Sequence, residues 1–263
     1  MIQLHNLTQS RRTWAWPYVL FMICLVVFPL VLIGVYAFTD AETGTFTLSN
    51  FTTFFTKPEA VNTFIYSIGV ALFTTIICLI LGYPAAYVMA MSSYRTPRFM
   101  AMLFILPMWI NFLLRTIATV ELFELLRIPL GEGALFFGLS YDFLPFMIYP
   151  IYNTIQKMDM SLIEAAEDLG ASRMQVFLKV ILPLSLPGIY SGIIMVFMPT
   201  VSTFAIAELL THNKITLFGS LIQRAFGEGG ILMWNYGAAL SLIMLVIIGL
   251  TSFFGDDHED IHH

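Results

Sequence analysis

Ser161–Gly188 reads SLIEAAEDLGASRMQVFLKVILPLSLPG, and it decides how the chain is to be understood. It is a polar, helix-forming island between long runs that are almost uncharged. A connection between two apolar runs needs only a short turn, yet here Glu164, Glu167 and Asp168 stand beside Arg173 and Lys179. Two helix starts are written into it. Ser161-Leu-Ile-Glu164 has capping-box spacing, in which the serine hydroxyl accepts from a first-turn amide and the glutamate reaches back to the cap. Ser172-Arg-Met-Gln175 repeats it, and Gly170 is placed to end the first helix in a left-handed turn. Met174, Phe177, Leu178 and Ile181 share a face of the second helix, and Pro183 and Pro187 mark the start of the next apolar run. The small pair Ala165-Ala166 lets another surface approach the backbone. Two amphipathic helices outside the bilayer suit a docking surface or a membrane-surface helix, and the spacing alone leaves both open.

The flanking runs define the class. Of 263 residues, 58% are hydrophobic and 11% charged, with 24 Phe and 15 Met. Soluble domains carry about 25% charged residues, so this is an all-α polytopic membrane protein. Six transmembrane helices are expected, near 16–38, 64–90, 99–123, 134–155, 186–210 and 234–254. Each is long enough to cross about 30 Å of hydrocarbon at 1.5 Å per residue. Residues 1–15 then form an N-terminal segment, 16–254 a single transmembrane domain with its polar loop at 157–185, and 255–263 an acidic, His-containing tail. Arg11-Arg12 ahead of an apolar run resembles a twin-arginine signal. Pro17–Phe38 is too long for a signal h-region, however, and no small-residue cleavage site follows, so an uncleaved span is expected.

Charge sets the orientation and excludes several functions. Arg11, Arg12, Arg95, Arg98, Lys157, Arg173 and Lys179 fall on one side; Lys57, Arg115, Arg127, Lys214 and Arg224 fall on the other. The positive-inside rule places both termini and the island in the cytoplasm, with Trp14, Trp16 and Trp234 near the interfaces. The net charge of -5 carries little information, because four of the seventeen acids lie in the last eight residues. The basic residues are scattered, which argues against nucleic acid. Cys24 and Cys78 sit in apolar runs as packing residues, and the tail histidines His258, His262 and His263 are not taken as a metal site. HExxH and GxSxG are absent and no histidine falls in a span, so an intramembrane enzyme is the weakest reading. Without a GxxxxGK[ST] loop the chain is not itself an ATPase.

Glu164-Ala165-Ala166, Gly170, Val180 and Leu182-Pro183 together resemble the cytoplasmic EAA signature of ABC importer permeases, matched without a gap. Asp168 and the run Leu182–Ile189 extend the match. Leu106–Thr116, Leu144–Tyr152 and Leu81-Gly82-Tyr83-Pro84 resemble the third, fourth and second spans of the spermidine/putrescine permeases, B-type subunit. The likeness covers about 16–250. It implies the type I ABC importer permease fold in a bacterial inner membrane, with the island as coupling helices docked on an ATP-binding subunit. It further implies two copies of that subunit, a second related permease and an external solute-binding protein. No cofactor is expected on this chain, because ATP and magnesium belong to the partner. Two departures stand out: a short external stretch around 120–136, and an acidic rather than basic C-terminus.

Ionisable residues inside spans are functional candidates by default. Asp142 beside Tyr141, Glu208, and Glu121 with Glu124 are the carboxylates expected along a path for a polyamine, whose ammonium groups alternate with apolar chain. Trp109, Tyr141, Tyr149 and Phe204 are candidate cation–π rings. An internal ion pair of Asp142 with Arg115 is the competing role, and for Asn111 it is a helix-to-helix hydrogen bond. A secondary transporter would also explain the carboxylates, but not the EAA spacing, and no inverted repeat is seen. An ABC permease for another small solute is the near neighbour.

Overall fold

Proline marks where two of these helices widen and where the third expected span breaks. The computed structural model describes residues 16–91, 103–104, 106–227 and 230–256. In order they form α1 (Trp16–Ala37), α2 (Ser49–Thr56), α3 (Pro58–Met91), a 3-10 turn (Leu106–Trp109) and α4 (Phe112–Leu125). Then come α5 (Glu132–Gln156), α6 (Met160–Asp168), α7 (Arg173–Ser202), α8 (Ala205–Thr211), α9 (Phe218–Gly227) and α10 (Gly230–Asp256). No strand occurs among the described residues. Helices α1, α3, α5 and α7 are each long and apolar enough to cross a membrane. Arg11, Arg12, Trp14, Arg95, Arg98, the start of the expected 99–123 span and the tail from 257, with its histidines, lie outside the described residues.

Two π turns precede prolines. Ile23–Val27 leads into Phe28-Pro29 within α1, and Phe177–Ile181 leads into Leu182-Pro183 within α7. Proline lacks an N–H, and its ring crowds the carbonyl four residues back. The wider turn lets Phe28 N donate to Ile23 O and Leu182 N to Phe177 O, so the helix continues. Pro183 and Pro187, read from sequence as the entry to the fifth span, therefore do not break the helix there. One continuous helix, α7, joins the island to that span.

The expected spans change in four further places. The third does not run unbroken through 99–123: beyond Pro107 the chain bends at Ile110 and restarts at Asn111, whose side chain accepts from Leu113 N at 2.8 Å. Asn111 thus caps its own helix, where a bond to a neighbouring helix was expected. The fifth span, expected at 186–210, is interrupted at Thr203–Phe204. α3 begins at Pro58, a residue suited to a first helical position, rather than at 64. The α4–α5 connection is 126–131, shorter than the ten residues expected, and Arg127 turns it with φ 56. Helices α2 and α9 were not anticipated.

Residues 58–221 and 246–256 make one compact unit, and 16–57 with 222–245 make another. In the larger unit α3, α5 and α7 pack around Cys78, Ala86, Leu139, Met147, Ile151 and Val196, all at most 2% exposed or fully enclosed. Glycine allows the close approach. A Cβ on Gly192 would lie 2.8 Å from Met147 Sδ and 3.2 Å from the Met147 carbonyl; one on Gly188 would lie 2.5 Å from Thr154 Oγ1 and 2.8 Å from the Pro150 carbonyl. Small residues at membrane helix contacts serve this purpose generally. Tyr83 and Ser185 hydroxyls pair at 3.0 Å between α3 and α7. In the smaller unit Asn50 Nδ2 donates to the Ala37 and Thr39 carbonyls, and Asn235 Nδ2 also donates to Thr39 O. Asp40 folds the intervening loop by accepting from Thr43 and Glu42, which holds its carboxyl below the usual range. The apolar window of α1 buries no side chain.

Gly188→Val should strain the α5–α7 contact, where backbone must move, and cost about 1–3 kcal/mol. The check is a thermal melt in detergent, in which Gly188→Val melts lower while Gly69→Ala, with nothing within 4 Å, is unchanged.

Candidate functional site

The polar island folds as a hairpin with defined ends. Asp159 caps α6, its Oδ1 accepting from Ser161 N at 3.0 Å, and the bonds from the Ser161 amide and then its hydroxyl hold the carboxyl below its ordinary range. The expected Ser161–Glu164 box is therefore displaced, because a carboxylate two residues earlier takes the cap and suits the positive end of a helix. The second box forms as the spacing predicts: Ser172 N donates to Gln175 Oε1 at 2.8 Å, and Gln175 N donates to Ser172 Oγ at 3.4 Å. Between them Gly170 N donates to Glu167 O and Ala171 N to Ala166 O. With Gly170 at φ +83, this is a Schellman turn.

Ile163, Val176 and Ile181 are buried together, against Tyr87 and Met91 at the end of α3. Phe177 packs edge-on to Tyr83 and Tyr87. The expected stripe is corrected here: Met174 is 65% and Leu178 51% exposed, because the π turn after Val176 shifts which side chains face inward. Outward stand Glu164, Ala165, Glu167 and Asp168, with Ala166 half-buried. Leu182 is half-buried and Pro183 exposed. Leu169, next to Gly170, is 90% exposed, and sequence reasoning missed it. An apolar residue at the tip of a glycine turn was the available signal. The hairpin presents small, acidic and apolar groups on a surface locked from behind.

A second constellation lies within the spans. Arg115 Nε is 3.2 Å from Asp142 Oδ1, and the two side chains are 6% and 1% exposed. Thr116 Oγ1 bonds Asp142 Oδ2 at 3.1 Å and the Phe112 carbonyl at 2.9 Å. Asp142 is thus enclosed by α4, the arrangement weighed against a cargo role. Tyr141, at 44% exposure, sets its ring 5.7 Å from Arg115 Cζ, so its cation–π partner is an internal guanidinium. Arg115 and Tyr141 line an apolar groove of about 410 Å³ between α4 and α5, with Leu114, Leu122 and Phe137. Thr116 was missed, although an Arg-Thr pair in an apolar run is a visible signal.

The other candidates are dispersed. Glu121 and Glu124 are exposed on α4, Trp109 is 79% exposed before it, and Tyr149 is 43% exposed on α5. Phe204 borders a separate cavity of about 240 Å³ with Phe112 and Phe143. Glu208 is half-buried on α8. Among the described residues no ion pair joins any of these carboxylates to a base.

Long apolar helices carrying a capped polar hairpin define a multi-span membrane protein. The chain belongs to the family of binding-protein-dependent transport system inner membrane components, whose model matches residues 82–256. It is 35% identical over 222 residues to the spermidine/putrescine transport system permease protein PotB of Escherichia coli (strain K12), covering 78% of this chain and 80% of that one. The PotB of Haemophilus influenzae is 34% identical over 254 residues, 88% of each chain. In fold, it is similar to a bacterial ABC transporter involved in the import of the acidic polysaccharide alginate, with a TM-score of 0.69, 15% identity and 100% of both chains covered. The fold is that of the type I ABC importer permeases.

Two outcomes follow. Asp142→Ala should leave Arg115 buried without a counter-charge and cost about 3–5 kcal/mol, whereas replacing both partners by apolar residues should restore most of it; melts of the single and double variants check this. Gly170→Ala should loosen the hairpin by about 1–2 kcal/mol, the left-handed penalty, seen as faster amide exchange across 160–176.

Proposed function

We propose that this chain is a permease subunit of an ATP-driven polyamine importer in a bacterial inner membrane. Its resemblance to relatives described as spermidine/putrescine permeases, along most of both chains, carries this reading. On it, Glu164, Ala165, Ala166, Asp168, Gly170, Leu182 and Pro183 belong to the coupling hairpin. Its exposed face, with Leu169 as an apolar knob, docks on one of two ATP-binding subunits. A second, related permease completes the path, an external binding protein delivers the cargo, and both termini are cytoplasmic.

The geometry supports a mechanical division of labour. The hairpin is tied to α3 through Tyr87 and Met91 and is continuous with α7. Closure of the ATP-binding pair would move these helices together, alternating access between the two sides of the membrane. A weak internal site suits this cycle, since cargo must also leave.

The test is ATP-dependent uptake of radiolabelled spermidine and putrescine by liposomes holding the full complex, with Glu164→Arg alongside. Uptake that needs ATP and collapses in the variant as the ATP-binding subunit dissociates is the expected result. Uptake without ATP, or an unaffected variant, would reject the coupling role. ATPase coupling with no polyamine uptake would reject the substrate.

A further inference from the structure

Arg115 carries one more donor than its own chain uses. Its Nε faces Asp142 Oδ1 at 3.2 Å, and its Nη2 donates to the Asp142 carbonyl at 3.5 Å. Nη1 is buried and meets no hydrogen-bond acceptor among the described residues. Thr119, one turn along α4, is engaged elsewhere, donating its hydroxyl proton to the Arg115 carbonyl at 2.9 Å. The depth makes this costly. Asp142 lies ten residues past the start of α5 and fourteen before its end, about 15 Å and about 21 Å at 1.5 Å per residue. That is mid-span, where lipid tails offer no acceptor and headgroups are out of reach. An arginine near a helix end can extend its head to the interface, but this one is held in place by Asp142.

The surface around it has the form of a helix seat. Arg115 helps to line the groove of about 410 Å³ between α4 and α5. Leu114, Ala118 and Leu122 follow one another at four-residue spacing on α4, and Phe137 and Tyr141 do the same on α5. All five are exposed. Two such rows bound a channel that accepts the side-chain ridge of a further helix, and alanine between two leucines lets that helix come close. Charge narrows the chemistry of the occupant. Arg115 and Asp142 already balance one another, so a second carboxylate would leave net negative charge in hydrocarbon. The acceptor that fits is neutral.

We infer that the α4–α5 groove is part of the seam between the two permease subunits. A span of the second permease lays an apolar ridge between Leu114 and Phe137 and offers one neutral oxygen, from an amide, a hydroxyl or a backbone carbonyl, to Arg115 Nη1. The inference rests on the paired-permease reading above and assigns it a face and a polar contact. Arg115 then serves two boundaries at once. Through Asp142 it fixes α4 against α5, and through Nη1 it fixes the subunit against its partner.

The experiment places the photoreactive residue p-benzoylphenylalanine at Leu114 or at Phe137 in the full complex in liposomes, and identifies the adducts by mass spectrometry. The expected result is adducts to the second permease from both positions, clustered on one of its spans. Ala118→Trp, which fills the groove, should lower their yield roughly fivefold. A second readout combines Arg115→Met with Asp142→Leu, which removes the internal pair without stranding a charge. Recovery of the second permease with this double variant should fall roughly tenfold. Adducts to phospholipid alone would make the groove a lipid-facing surface and overturn the proposal, as would no adduct in a complex that still transports polyamine. Undiminished recovery with the double variant would overturn the arginine contact. If the second permease is never recovered with the wild-type chain, the paired reading falls and the seam with it. Should the double variant fail to fold, the photoadducts, formed from exposed positions, decide.

Discussion

The absence of water from the bilayer core is the constraint on which this structure turns. Every backbone N–H and C=O in a span needs an internal partner, and a chain with twelve prolines meets that demand in different ways. Before Pro29 and Pro183 the helix widens into a π turn and continues. After Pro107 it stops, and Asn111 supplies a side-chain acceptor to restart it. Hydroxyls are served in the same way: Thr75, Thr200 and Thr211 each return their proton to the carbonyl four residues back, at 2.6–2.7 Å. At Thr203 the helix lapses instead, and a cavity of about 240 Å³ adjoins the break.

The same constraint explains the Arg115–Asp142 pair. A lone charge on either α4 or α5 would be strongly unfavourable in hydrocarbon, yet two that meet, with Thr116 and the Asp142 carbonyl as further partners, are tolerable. The pair is a weak source of stability by itself. Its effect lies in register: sliding α4 against α5 by one turn would separate the charges. An enclosed carboxylate of this kind is a poor place to hold cargo, since an arriving ammonium would have to displace a guanidinium already seated there.

Much of this was legible in the sequence, for identifiable reasons. Hydropathy located the apolar runs because lipid imposes one length and one polarity on them. The EAA spacing located the hairpin, since Gly170 and the Ser172–Gln175 box act through local backbone geometry that residue type reports directly. What was not legible depended on register or on partners distant in sequence. Asp159 outcompeted Ser161 as a cap through its charge. The π turn at Phe177–Ile181 puts Val176 and Ile181 on the buried face and leaves Met174 and Leu178 outside it, a change of register that a 3.6 period cannot anticipate. The interruption at Thr203 has no glycine or proline at the break itself. For Asp142 the sequence left an internal ion pair with Arg115 and a contact with cargo both open, because hydropathy reports that a buried carboxylate needs a partner and not which one; the structure pairs it with Arg115.

Continuity of α7 gives these separate features a common axis. Thirty residues of helix span about 45 Å at 1.5 Å per residue, with the hairpin at one end and the break at the other. Between them Gly188 and Gly192 bring α7 to its tightest contact with α5, against the Pro150 and Met147 carbonyls. A rod held closely along its middle and free of helical continuity at its far end transmits motion differently from one embedded throughout. On the importer reading proposed above, a displaced hairpin would tilt α7 about the glycine contact, and the break at Thr203 would free α8 from moving rigidly with it. On that reading the movement would reach the cavity between Phe112, Phe143 and Phe204 at the far end of α7.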